Sequence, residues 1–269
     1  MEPALHAQNT GFQWRAREGP FRRVSPQQAR DYDELGYFRL EGAFPPETCR
    51  GVIAAIDPLE AEGEALLRKA GGRLFIARAG EITFTVHLVK RSPVLRAFCA
   101  GPVFQDLAHD LIGPDARLYW DQSVYKKPGT DAPFPWHQDN GYTFVEPQQY
   151  LTCWVALSDA GVDDGCPWVV PGLHRRGTLH HEATELGFVC LEGDPQEAVP
   201  VPAKAGDVVV FSSLTPHATG PNKSDRVRKT YIVQFAPDGA AVVGPDGRRV
   251  PAADPERQFP VLTGGEAPA

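Results

Sequence analysis

No apolar run in the sequence approaches the roughly 18 residues of a membrane span. The first twenty residues also lack an apolar segment, so no secretory leader is expected. There is no basic excess either. Lys and Arg number 27 against 34 Asp and Glu, a net charge of -7, which is the wrong sign for a nucleic-acid binder. Cysteine is sparse and scattered: Cys49, Cys99, Cys153, Cys166 and Cys190 are odd in number and contain no CxxC. That argues against a disulfide framework or a zinc-thiolate site and favours a reducing cytoplasm. Internal repeats are missing as well. What the chain has is an ordinary globular balance, 42% hydrophobic and 23% charged over 269 residues. A chain of this size buries roughly 75% of its extended surface, enough for a sizeable core.

Two textures follow one another. Up to about residue 116 the pattern is largely helical. Ser25-Pro26-Gln27-Gln28 reads as a capped helix start, and Gly36 ends that helix before a short strand, Tyr37-Phe38-Arg39-Leu40. Pro45-Pro46 opens a second helix through about Ile56, with Pro58 breaking or kinking it. Ser92-Pro93 opens a third helix, which Gly101-Pro102 interrupts. From about 117 to 236, short runs rich in Val, Tyr, Phe and Trp alternate with Pro, Gly and Asp clusters. Strands are predicted over 118–125, 136–139, 151–157, 168–170, 208–211 and 230–235. Such a series suggests a jelly roll or barrel. Residues 176–202 are long and weakly patterned, the texture of a lid. The stretch 237–269 is expected to be irregular, with a turn at Pro245-Asp246-Gly247. The whole is taken as one domain.

Metal chemistry is the strongest functional signal. A His and a carboxylate two positions apart on a strand share a face. With a distant His they make a facial triad for mononuclear iron that leaves positions open. Chance alone supplies His-x-acid pairs at this composition, and there are two, His137-Gln138-Asp139 and His180-His181-Glu182. Context separates them. The first sits in a strand-like stretch and is followed by the turn and strand Gly206–Phe211, then His217, then Arg228. The second falls in the weakly patterned insertion and reads as a solvated loop.

The run from Tyr119 to Phe235 resembles the phytanoyl-CoA dioxygenase family of Fe(II)/2-oxoglutarate oxygenases. The pieces that carry the resemblance are Tyr125-Lys126-Lys127-Pro128, Trp136-His137-Gln138-Asp139, Trp154-Val155-Ala156-Leu157 and Asp164-Gly165-Cys166. Further on come Val169-Val170-Pro171-Gly172-Leu173-His174, Gly206–Phe211, Pro216-His217, Asn222 and Arg228. The resemblance implies a mainly β fold, a cupin-like double-stranded β-helix with N-terminal helices packed on it. It implies His137, Asp139 and His217 as iron ligands and Arg228 as the clamp on the distal carboxylate of 2-oxoglutarate, with Arg226 as rival. Thr219, Trp154 and Gln122 would line the same co-substrate pocket, whereas His174 reads as structural. Some family members place a Lys in the segment that is Glu81–His87 here, where Thr83, Thr85 or His87 would take its place. Tyr142, Phe144 and Trp136 are candidates to line the substrate pocket. The implied cofactors are Fe(II), 2-oxoglutarate and O2, with ascorbate a candidate reductant. The implied reaction is hydroxylation of a small molecule, with neither nucleic acid nor membrane as partner. Asp139, where a halogenase would carry a small residue, disfavours halogenation. The alternative is a cupin-type metal- or sugar-binding protein without oxygenase activity.

Overall fold

The computed structural model describes residues 3–131 and 133–268. Helix α1 (Pro26–Glu34) starts where expected. Ser25 Oγ accepts from the Gln28 backbone N–H, and the Gln28 side chain accepts from that of Ser25. Gly36, at φ 87°, turns the chain into β1 (Tyr37–Leu40). A Cβ there would lie 2.5 Å from His174 Nδ1, so this turn needs glycine sterically as well as conformationally.

Helix α2 (Pro46–Lys69) extends well beyond the expected end near Ile56, so Pro58 lies inside it and does not break it. Its buried residues Cys49, Val52, Ile56, Glu60 and Leu67 continue one face past the proline. Pro58 and Ala54, whose carbonyl loses its partner, both lie on the exposed side. Water can serve that carbonyl, so packing outweighs the roughly 3 kcal/mol cost of an interior proline. Strands β2 (Arg73–Leu74), β3 (Ala77–Arg78) and β4 (Ile82–Val86) follow, then α3 (Pro93–Cys99) and α4 (Pro102–Leu111). The first hundred residues are therefore less helical than expected.

The second texture gives β5 (Ala116–Lys126), β6 (Phe134–His137), a single turn α5 (Asp139–Tyr142), β7 (Val145–Glu146), β8 (Leu151–Ala156) and β9 (Pro167–Val169). After them come β10 (Glu182–Thr184), β11 (Gly187–Val189), β12 (Val199–Pro200), β13 (Val208–Ser212), β14 (His217–Thr219) and β15 (Arg228–Pro237). The tail is not irregular. It carries β16 (Ala241–Val243), β17 (Arg249–Pro251) and β18 (Pro260–Leu262), and the expected turn joins the first two.

These strands form a jelly roll. The large antiparallel sheet has the order β1-β13-β8-β15-β5-β4-β3-β2, with β18 added to β5. The smaller sheet, β12-β9-β14-β6, is its partner layer. Period-two alternation divides the large sheet's side chains between two cores. Cys153, Val155, Val210, Tyr231 and Val233 meet Ile56, Leu95, Phe104 and Leu107 of the helical layer. Trp154, Ala156, Val209 and Phe211 turn the other way, onto Val169, Cys166 and Val201. The candidate residues Gln122, Trp154 and Arg228 lie on this second, inner face.

Candidate active site

His137 and His217 stand directly opposite each other, one ending β6 and one opening β14. Their rings are 4.1 Å apart. Asp139 is not on the strand with His137 as expected. It begins the turn α5, which swings its carboxylate to the same place by a helical step. One ligand atom from each of the three residues lies within 4.8 Å of the others. Asp139 Oδ1 is 3.8 Å from His217 Nε2.

Backbone and side-chain partners fix these groups. His137 Nδ1 donates to Pro135 O at 2.8 Å, and His217 Nδ1 to Thr215 O at 3.0 Å. Each ring thus has its proton on Nδ1 and offers Nε2 to an ion, the usual arrangement for a ligating imidazole. Burial, then the neighbouring His217, holds the His137 pKa well below the ordinary range. A neutral ring is what a metal requires. Asp139 Oδ2 accepts from Thr152 Oγ1 at 2.5 Å, and Thr152 Oγ1 accepts from Gln234 Nε2 at 3.3 Å. This leaves Oδ1 as the outward oxygen. Two imidazoles and one carboxylate on one side of a point suit Fe(II).

Arg228 opens β15 and is 1% exposed. Its Nη1 makes one long contact, 3.5 Å to Thr230 Oγ1. Its Nε and Nη2 are buried and have no partner among the described residues. The guanidinium lies 5.4 Å from the centre of the Trp154 ring. Burial pulls its pKa down to about 10, still charged at neutral pH. A buried fork of unmet donors is costly unless an anion completes it, and a carboxylate matches that fork. Arg226, the rival, points outward: its side chain is 64% exposed and pairs with Asp164 at 3.0 Å. Thr219 Oγ1 accepts from Lys126 Nζ at 3.3 Å. Gln122 shares the inner face of β5 with Lys126 and accepts from Trp120 Nε1.

Several expectations need correction. His181 is not in a solvated loop; it is 9% exposed, and its Nε2 accepts from the Gln138 backbone N–H at 2.9 Å. It therefore pins the residue between two triad members. Burial pushes its pKa down to about 4, which keeps that acceptor neutral. His180 is exposed, as expected. Thr83 and Thr85 face away from the pocket, Thr83 bonding Glu60 on α2, while Phe84 and Val86 occupy the inner face of β4. His87 packs edge-on to Trp120 at 4.3 Å. Of the expected pocket residues, Tyr142 approaches His137 at 5.3 Å between ring centres. Trp136 packs outward with Val170 and Ala218, and Phe144 stacks on His6. Phe134, against both Phe84 and His137, takes their place. His174 is fully buried and bonds Asp33 O, a local role as expected. Lys126, Thr152 and Gln234 were missed. Strand parity was the available signal for Lys126, which shares a face with Gln122.

The comparisons with known proteins agree with this geometry. The phytanoyl-CoA dioxygenase (PhyH) family profile matches residues 32–230. Phytanoyl-CoA dioxygenase domain-containing protein 1 of Mus musculus is 25% identical over 288 residues, covering 89% of this chain and 98% of its own. A methylphosphonate hydroxylase of Gimesia maris is 34% identical over 165 residues, 60% of each chain. Among solved structures, the non-heme alpha ketoglutarate dependent carbocyclase SnoK from nogalamycin biosynthesis is 26% identical, with a TM-score of 0.67 over 83% of this chain and 89% of that one. With three quarters of its length inside the family profile, the chain belongs to the phytanoyl-CoA dioxygenase family and is a non-haem iron dioxygenase that uses 2-oxoglutarate and O2.

Proposed function

We propose that the enzyme hydroxylates, or otherwise oxidises, an unactivated carbon of a small-molecule metabolite, with succinate and CO2 as co-products. His137 Nε2, Asp139 and His217 Nε2 would hold the iron. When bound, the iron supplies the activation of O2 coupled to decarboxylation of 2-oxoglutarate. Arg228 would take the distal carboxylate of the co-substrate, with Thr219 beside it and Trp154 and Gln122 as walls. Phe84, Phe134, Tyr142 and Phe188 form a ring-to-ring chain past His137, at 4.7 to 5.7 Å between centres. This wall keeps water from the reacting carbon. The relatives act by hydroxylation and by ring closure, according to their names. With Asp139 among the residues that would hold the iron, no position would remain for halide, which supports oxidation of carbon. The five free cysteines, four of them buried, support a reducing cytoplasm as the compartment.

The observation that carries the proposal is the buried Arg228 guanidinium with two unmet nitrogens. A cupin that only holds a metal or a sugar has no use for it. The test is spectroscopic and chemical. Fe(II) and 2-oxoglutarate added without oxygen should give a weak visible charge-transfer band, and admitting air should yield succinate. His137→Ala or Asp139→Ala should remove both, and His180→Ala neither. Full band and turnover in both triad variants would move the metal elsewhere.

A further inference from the structure

Lys126 closes β5 directly opposite Arg228, which opens β15. In an antiparallel pair, opposed residues project from the same face, so both cations enter the same pocket. Lys126 is 0% and Arg228 1% exposed. Like charges placed opposite each other and out of water are unfavourable on both counts. Strand position alone does not demand this pairing, since Val124 and Thr230, one step further along, are neutral. Lys126 Nζ donates to Gly220 O at 2.5 Å and to Thr219 Oγ1 at 3.3 Å.

We propose that Lys126 is the second cation of the co-substrate's distal-carboxylate site, acting beside Arg228 and through Thr219. The inference rests on the oxygenase reading above. A hydroxyl that accepts from an ammonium must send its own proton elsewhere. With Lys126 on one side of Thr219 Oγ1, that proton is directed to an acceptor on the pocket side, where Arg228's unmet nitrogens also look for one. The carboxylate thus receives the guanidinium fork and the Thr219 hydroxyl, and the Lys126 charge lies one hydrogen bond behind. Burial and the adjacent Arg228 lower the Lys126 pKa to about 7.

Calorimetry on the Fe(II)-loaded protein under nitrogen tests this with two ligands, 2-oxoglutarate and 2-oxopentanoate. The second keeps the keto acid that binds iron and lacks the distal carboxylate. Lys126→Met should weaken 2-oxoglutarate at least tenfold and change 2-oxopentanoate by less than twofold. Lys126→Arg should recover most of the loss. A Lys126→Met protein whose preference between the two ligands equals that of the unaltered protein overturns the proposal, whether both affinities hold or both fall. Should Lys126→Met fail to fold, Lys126→Gln is read by the same ratio. Arg228→Ala separates the two levels. If neither the unaltered protein nor this variant distinguishes the ligands, the co-substrate assignment itself fails. If Arg228→Ala collapses the preference and Lys126→Met does not, only Lys126 is wrong.

Discussion

At Arg228 the decisive feature is what the side chain lacks. Its Nε and Nη2 have no acceptor among the described residues, and the charge is buried. Removing one member of a buried charged pair costs on the order of 2–5 kcal/mol. Arg228→Ala should therefore raise the apparent KM for 2-oxoglutarate at least tenfold. Arg226→Ala deletes only an outward-pointing partner of Asp164, its own side chain largely in water, and should leave that KM within about twofold. Steady-state succinate formation against 2-oxoglutarate concentration ranks the two, and the reverse order would move the clamp to Arg226. The sequence could name both arginines but could not choose between them. The choice depends on where β15 begins: the two share strand parity, so alternation cannot separate them, but the strand opens at Arg228 and leaves Arg226 in the loop before it. His180 and His181 repeat the lesson. Neighbouring residues of one type took opposite fates, and the local sequence carries no period that would tell them apart.

Elements show where local rules yield to packing. The capped start of α1, the Ser92 cap of α3 and the Gly101 break before α4 stand as the sequence indicates. Each depends on contacts within four residues. α2 overrides Pro58 because a buried face continues beyond it. The hairpin β10–β11 had no legible pattern: three-residue strands, one of them wholly exposed, carry too few residues for alternation to register. Its anchor is steric. Gly187 has φ 114°, and a Cβ there would meet Tyr142 Oη at 2.8 Å and Ile76 Cγ2 at 2.9 Å. The hairpin therefore rests on the tyrosine beside His137 and on the turn between β2 and β3. Gly187→Ala combines that clash with a backbone strain on the order of 1–3 kcal/mol. Hydrogen exchange over 182–189 should accelerate about tenfold or more, while the amides of β5 and β15 keep their protection. Unchanged exchange in the hairpin would mean that the neighbouring rings yield instead.

Over the whole molecule, the mainly β jelly roll with helices on one face was legible as a resemblance, and its long strands were legible as patterns. The two-layer partition was not, because β8 and β13 are buried along their whole length and hide their alternation. That partition places Asp121 on the outer face of β5, against the helical layer, fully buried. Its Oδ2 accepts from Tyr231 Oη at 2.9 Å and from the Val89 N–H at 3.2 Å, while Oδ1 has no partner among the described residues. Burial raises its pKa, only partly offset by those donors. A folded-state pKa above the unfolded one means that the native state holds this proton more tightly. The associated stability is complete below the unfolded-state pKa and is lost as pH rises through the folded one. An amide copies the neutral acid and has no proton to lose. Asp121→Asn should thus unfold at the same temperature as the unaltered protein near pH 4. Near pH 8 it should be more stable by about 1 kcal/mol, the scale of one unmet buried group, or roughly 2–4 °C in a chain of this size. Thermal melts of both proteins across that range decide it. A gap that stays constant with pH, or a variant less stable at pH 8, would show that Asp121 is ionised in the fold and that its two donors outweigh its burial.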